Sequence, residues 1–275
     1  MKFPRVIAHI KPDHVLAILR VALGLVLIIG GIKLAFPVDA MALAQSYVNP
    51  ATGWISPFYQ QLITEHLNLE IIEFLRIQGM VEIMIGATLI LGMFTSLVSG
   101  IMGVMFIGFV VANPDIGEIR LIRDVSLAGL SFALALAGGG IFSMDGLMFR
   151  KKSHFQDYKD VILFLIRASL GITLIVSVVF APELFPGHAF SNAFNSVVPG
   201  PLVLILGAML VVGLYPRAAV ALLAVWLLYL IGAALLDKPF YLALDAVKRE
   251  IGFLGATVVF AVLGPDRWSW PKIGK

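Results

Sequence analysis

Apolar residues fill almost every position from Val15 to Phe36, broken near one end by Arg20 and near the other by Lys33. A run of roughly 20 mostly apolar residues is long enough to cross a bilayer as a helix. A near copy lies at Val161 to Pro182, where Ile166-Arg167-Ala168-Ser169-Leu170-Gly171 aligns with Leu19-Arg20-Val21-Ala22-Leu23-Gly24, Arg167 trailing Arg20 by 147 positions. Residues 79–112 form a further apolar stretch, about 51 Å long if it were one helix rising 1.5 Å per residue. A hydrocarbon core of about 30 Å cannot hold that length, so the stretch must fold back, and Gly92-Met93-Phe94-Thr95 supplies the turn. The matching place 121 positions later reads Gly213-Leu214-Tyr215-Pro216, with Pro216 breaking the helix outright.

A fourth span runs from Asp124 to about Phe142, after a polar loop at 113–123. Its copy runs from Glu250 to about Leu263, with Arg249-Glu250 matching Arg123-Asp124, Gly255 matching Gly129 and Gly264 matching Gly138, each 126 positions on. Offsets that change between spans while the spans stay aligned are what a duplicated module with altered loops produces. The pattern predicts an all-α polytopic membrane protein of eight transmembrane helices, two four-helix units at 1–149 and 150–275. Four spans bring the chain back to the side where it began, so the units are parallel rather than inverted.

The long connection at 37–72 is expected to lie on the membrane surface: Pro50, Gly53 and Pro57 break helices there, while Trp54, Phe58 and Tyr59 suit an interface. Within it, Leu62, Ile63, Leu67, Leu69, Ile72 and Leu75 alternate with charges over Gln60 to Arg76, which predicts an amphipathic helix feeding the second span.

Composition agrees. Sixty per cent apolar and 13% charged residues, with a mean hydropathy of +0.97, lie outside the range of a soluble domain. The absence of Cys removes thiol redox chemistry and thiolate cluster ligation. Net charge is only +3 and no nucleic-acid motif is present, so the basic residues read as orientation signals. Lys2, Arg5 and Lys11, then Arg150, Lys151, Lys152 and Lys159, then Arg267, Lys272 and Lys275 share one face, which places both termini in the cytoplasm. Lys2 and Arg5 before an apolar run imitate a secretory signal, but the run exceeds the usual signal core and has an internal copy, so cleavage is not expected.

Ionisable residues within spans are costly, and so tend to be paired or functional. In the first unit they gather at the outer side: Lys33 ends span one, Glu73, Arg76, Gln78 and Glu82 come with span two, and Arg120, Arg123 and Asp124 open span four. Gln78 and Glu82 are four apart and share a helix face, as do Arg120 and Asp124. The second unit has Phe180 and Val203 where the first has Lys33 and Glu82, so a site is expected in the first unit, with the second as scaffold. The competing reading is that these charges pair for packing or reach out to the interface. Arg20 and Arg167 are expected to be structural, reaching the interface or neighbouring helix-end carbonyls, and the span glycines to be close-packing positions. His9, His14, His66, His154 and His188 all fall in tails or loops, so neither haem nor another metal is expected in the bilayer. No zinc-protease, P-loop or nucleophile-elbow motif occurs.

The chain resembles the DoxX/DoxD family of four-span membrane proteins. In the first unit the likeness rests on Arg20, Gly24, Gly31-Ile32-Lys33, Glu82, Gly86, Gly92, Thr95 and Gly138-Gly139-Gly140-Ile141-Phe142-Ser143-Met144-Asp145; in the second, on Arg167, Gly171, Gly207, Gly213 and Gly264-Pro265-Asp266-Arg267-Trp268-Ser269. The second unit lacks the Lys and the Glu. The resemblance implies an inner or plasma membrane subunit of respiratory or sulfur-oxidising machinery, as in thiosulfate:quinone oxidoreductase, where a DoxD-like subunit works with a DoxA-like partner and electrons pass to quinone. It makes Lys33, Arg123, Gln78 and Arg76 candidates to bind a quinone head group or anionic substrate. It likewise makes Glu82 and Asp124 candidates to accept the proton of an oxidised quinol. The alternatives are a non-catalytic scaffold that recruits a membrane or periplasmic partner, and a small-molecule transporter, which a polar path from the outer cluster to Arg20 would favour.

Overall fold

The computed structural model describes residues 12–49, 55–112, 122–149, 154–179 and 200–270. Pro50, Gly53, Trp54, Arg120, Phe180, His9, His188 and most of the tail and linker cations fall outside them, as does the side chain of Arg123. Among the described residues the protein is all-helical, with one isolated bridge between Leu214 and Trp270. The helices are α1 (Pro12–Ala35), α2 (Ala40–Val48), α3 (Pro57–Gln61), α4 (Ile71–Leu91), α5 (Thr95–Ala112), α6 (Ile122–Ala137) and α7 (Met144–Phe149). They continue with α8 (Phe155–Val179), α9 (Gly200–Val212), α10 (Pro216–Asp237) and α11 (Phe240–Leu263). Three of them, α1, α4 and α10, are long and apolar enough to cross a membrane; α5, α6 and α9 contain shorter apolar segments.

Both expected turns are present and have the same backbone form. Gly92 ends α4 at φ +73° and Gly213 ends α9 at φ +83°, a left-handed conformation that a Cβ would strain. The residue two positions on in each turn, Phe94 (φ 49°) and Tyr215 (φ 43°), shares it. The turns are then tied down differently. Asp145 accepts from the Phe94 and Thr95 amides, both at 2.8 Å, and so caps α5, whereas the Tyr215 amide donates to the Trp270 carbonyl at 2.9 Å. Asp145→Ala is therefore expected to destabilise the protein by about 1 kcal/mol through loss of the α5 cap, read as a lower unfolding midpoint in detergent.

Packing repeats across the chain. α1 lies on α4, and α8 on α9; α5 lies on α6, and α10 on α11. A Cβ on Gly24 would meet the Gly86 carbonyl and Ile90, and a Cβ on Gly171 would meet the Gly207 carbonyl and Val211. The packing also crosses between the halves: α11 packs on α1, with Gly255 against Ala22, and α6 packs on α8, with Gly129 against Ser169. A single apolar core consequently draws on both halves, from Leu16, Leu19 and Leu23 to Leu163, Ile166 and Phe253.

Arg20 and Arg167 cap the chain around these turns. Arg20 Nη1 donates to the Gly139 carbonyl and Nη2 to the Phe142 carbonyl, each at 2.8 Å. Arg167 Nη1 donates to the Leu210 and Val211 carbonyls, both at 2.6 Å, and its Nε lies 2.9 Å from Asp266 Oδ2. The carbonyl contacts are the structural role expected from the sequence.

The connection between α1 and α4 differs from expectation. No single amphipathic helix covers 60–76: α3 passes into a π-helical turn at Leu62–His66, Asn68 takes a left-handed conformation (φ 51°), and α4 starts afresh at Ile71. The new start is a reciprocal cap, the Glu70 amide donating to Glu73 and the Glu70 side chain receiving the amide of Glu73. Ile55, Ile63, Leu34 and Leu75 bury together beneath this segment, which therefore roofs the C-terminal end of α1 and the N-terminal end of α4.

A candidate charged cavity between the two halves

A cavity of about 890 Å³ opens under that roof, walled by α1, α4, α5, α6 and α11. Of the residues singled out from sequence, Lys33, Gln78, Glu82 and Asp124 line it. Arg76 is exposed and does not. The side chain of Arg123 lies outside the described residues, so the structure does not place it.

The cluster is built from the α1 end, the middle of α4, the start of α6 and, unexpectedly, α11. Gln78 Nε2 donates to Glu82 Oε1 at 2.8 Å, the four-residue helical spacing that the sequence indicated. Asp124 pairs across the halves, with Arg249 Nη2 3.1 Å from its Oδ1. Lys33 Nζ donates to Asp245 Oδ2 at 2.8 Å, while Lys248 Nζ donates to Asp245 Oδ1 at 2.7 Å, so two ammonium groups share one carboxylate. Gly30 makes room at the centre: a Cβ there would sit 3.0 Å from Glu82 Oε2 and 3.7 Å from Lys248 Nζ.

The expectation that the first unit alone forms the cluster is therefore corrected. The second half brings Asp245, Lys248, Arg249 and the buried Glu250 into the same cavity, because α11 packs on α1. Asp245 and the role of Lys248 were hidden by placing the start of the last span at Glu250. The helix actually begins ten residues earlier, at Phe240, after Pro239. With that start, positions 245, 248 and 249 have the i, i+3, i+4 spacing of one helix face.

Tyr47 on α2 and Tyr59 on α3 reach into the cavity from the roof. Burial pushes the Tyr47 phenol above its ordinary value, and the Glu82 and Asp245 carboxylates push it the same way; burial also raises Tyr59. Both hydroxyls are therefore donors across the neutral range. The Tyr59 ring stands edge-on to Phe74 of α4 and Phe109 of α5, with centroids 5.7 and 6.1 Å away.

The cavity is two-faced. Its charged end lies beside Lys33, while its other wall is Val26, Leu27, Ile85, Met102, Phe106 and Leu127. Ile77 and Val81 of α4 and Met105 and Gly108 of α5 both line it and are exposed, which marks an apolar side opening between those two helices. From Val26 toward Arg20, α1 carries the buried apolar side chains Leu23 and Leu19. Among the described residues no group of acidic, His or Cys side chains is arranged to hold a metal ion.

No family model matches this chain, and neither a curated protein nor a solved structure matches it.

Proposed function

We propose that this protein is an eight-span membrane subunit made of two parallel DoxX/DoxD-like four-helix repeats. In this reading it binds a quinone or an anionic amphiphile near the outer face and serves a respiratory or sulfur-oxidising, thiosulfate:quinone oxidoreductase-like system. The observation that carries the reading is the cavity itself: a cluster of charges and phenols at one end and an apolar side opening between α4 and α5 at the other. That is the arrangement for a ligand with a polar head and a hydrocarbon tail, entering from lipid. The repeated packing of α1 on α4 and α8 on α9, and of α5 on α6 and α10 on α11, supports the duplicated architecture. The distribution of Lys and Arg supports cytoplasmic termini, and the family resemblance supports an inner or plasma membrane.

Roles divide by pairing. Asp124 is buried and held by Arg249, which suits it to positioning rather than proton exchange. Glu82 is bonded to the neutral Gln78 amide and lies at the cavity wall, which suits it to exchange a proton with the head-group oxygen. It would give one of the two protons required, the other coming from solvent, when two electrons from a DoxA-like partner reduce the quinone, and take one when the quinol is oxidised. Lys33, Lys248 and the two tyrosine hydroxyls are donors for a carbonyl or oxyanion.

Glu82→Gln is expected to lower quinone-coupled turnover by about 10²-fold or more, the usual worth of a positioned acid–base group, with folded yield unchanged. Purification in mild detergent should co-extract a quinone and a partner subunit. Wild-type turnover in the Gln variant would remove Glu82 from the mechanism. The second reading, a non-catalytic scaffold, is favoured by the mutual pairing of Lys33, Asp245, Lys248, Arg249 and Asp124. Partner without quinone in the purified material would select it. A transport route draws no support from the apolar, buried side chains between the cluster and Arg20.

A further inference from the structure

We infer that the cavity takes an anionic amphiphile together with one proton, the head seating at the lysine pair that flanks Asp245 and the proton going to Glu82. This rests on the amphiphile reading above and chooses between its two ligand chemistries.

Charge balance leads to it. Among the described side chains lining the cavity, four are cations, Lys33, Lys238, Lys248 and Arg249, and four are acids, Glu82, Asp124, Asp245 and Glu250. The set is neutral when all are ionised, so adding an anion leaves a net negative charge in a place walled by lipid-side apolar residues, where uncompensated charge is costly.

The lysines offer the seat. Asp245 is shared between Lys33 of α1 and Lys248 of its own helix, each spending one of three N–H donors on it. An incoming oxyanion can bond to both ammonium groups without displacing the carboxylate.

Glu82 is the acid that can yield. Asp245 is held by two cations and Asp124 by Arg249, and Glu250 is fully buried whereas Glu82 is only half-buried at the cavity wall. Among the described residues the hydrogen-bond partner of Glu82 is the neutral Gln78 amide. It faces Lys248 across Gly30, and Asp124, Arg249 and Tyr47 line the same cavity around it. Once the head group occupies Lys248, the nearest cation is shared with a second anion. Protonation of Glu82 then restores neutrality, and Gln78 can turn its amide oxygen to accept the new O–H. No bond other than O–H is made, and the proton comes from solvent.

The test uses the full chain in dodecyl maltoside, titrated calorimetrically with decanesulfonate, which stays ionised throughout the pH range, against a protein-free micelle blank. Repeating the titration in phosphate and in Tris, which differ in ionisation enthalpy, counts protons directly. About one proton should be taken up per anion at pH 7.5, and affinity should fall about tenfold per pH unit over the range in which that uptake holds. Glu82→Gln should still bind, with no proton uptake and no pH dependence, while Asp245→Asn, which leaves the lining one positive charge in excess, should bind more tightly and take up much less than one proton. Methanesulfonate should bind far more weakly than decanesulfonate.

Binding without proton uptake in the wild type, or uptake that persists in Glu82→Gln, would overturn the inference and leave the amphiphile site standing. Equal binding of methanesulfonate would overturn the amphiphile part. No decanesulfonate binding above the blank would overturn the inference and its anionic arm of the site reading together. Should Glu82→Gln fail to fold, the wild-type proton count and the Asp245→Asn titration still decide it.

Discussion

Replacing Arg167 by alanine is expected to destabilise the protein by about 3–5 kcal/mol, the range for removing one partner of a buried ion pair. The side chains of Arg167 and Asp266 are 1% and 0% exposed, so the carboxylate would be left ionised away from water, along with the Leu210 and Val211 carbonyls. The Ser269 hydroxyl and Trp268 amide, both 3.0 Å from Asp266, soften the loss without supplying charge. Arg20→Ala should cost less, because its two bonds end on carbonyls and strand no buried acid. Arg167→Met with Asp266→Asn should recover more than half of the loss, since neither charge then remains. Unfolding midpoints of the four proteins in one detergent would check the order. Equal midpoints for the two single arginine variants would show that the ion pair adds nothing to the carbonyl capping.

The second large effect belongs to the crossing of α1 and α4. A Cβ on Gly79 would lie 2.5 Å from the Ala35 amide nitrogen and 2.6 Å from the Gly31 carbonyl oxygen. Both are backbone atoms in a helix and cannot rotate aside, so the helices must separate. Gly79→Ala is therefore expected to destabilise by about 3 kcal/mol, the upper part of the usual range for overpacking. It should also disturb the cavity, because Gln78 and Glu82 ride on the same helix. Gly100→Ala in α5 is the control: nothing lies within 4 Å of its Cβ position, so the change should be neutral or stabilise by up to about 1 kcal/mol through helix propensity. Similar losses at both positions would mean that close approach is not what Gly79 provides.

Sequence and structure agree most where one residue type is physically required. The break at Gly92 and its counterpart at Gly213 were legible because a left-handed turn selects glycine and Pro216 cannot continue a helix. Gln78 and Glu82 were legible because four-residue spacing fixes a shared face. The partners of Lys33 and Asp124 were not. They are Asp245 and Arg249, more than a hundred residues away, brought there because the last helix of one half packs on the first helix of the other. No local pattern carries that exchange. The charges at 245–249 looked like loop residues because they precede the apolar run, although they occupy the first turns of α11. The outer segment misled for the opposite reason: its apolar spacing suits a helix, but the left-handed Asn68 and the reciprocal cap at Glu70 and Glu73 divide it.

The arrangement at the cavity gives the two halves unequal but joined roles. The first half contributes Lys33, Gln78 and Glu82, the roof tyrosines and the side opening; the second contributes the carboxylate that holds Lys33 and the second lysine. A scaffold that merely supported the first half would not need to project five charged residues, Lys238, Asp245, Lys248, Arg249 and Glu250, into its cavity.

Photolabelling is the most direct measurement of this site. The probe would be a decyl chain with a diazirine at its tail end, headed by quinone in one form and by sulfonate in another. With the head at Lys33 and Lys248 and the tail leaving between α4 and α5, label should concentrate on peptides carrying Ile77, Val81 and Met105 and disappear under excess unlabelled ligand. Label spread evenly over other exposed apolar surfaces, such as Leu97 and Val104 on α5 or Leu222 and Val225 on α10, and undiminished by competitor, would contradict a lipid-accessible site at this cavity.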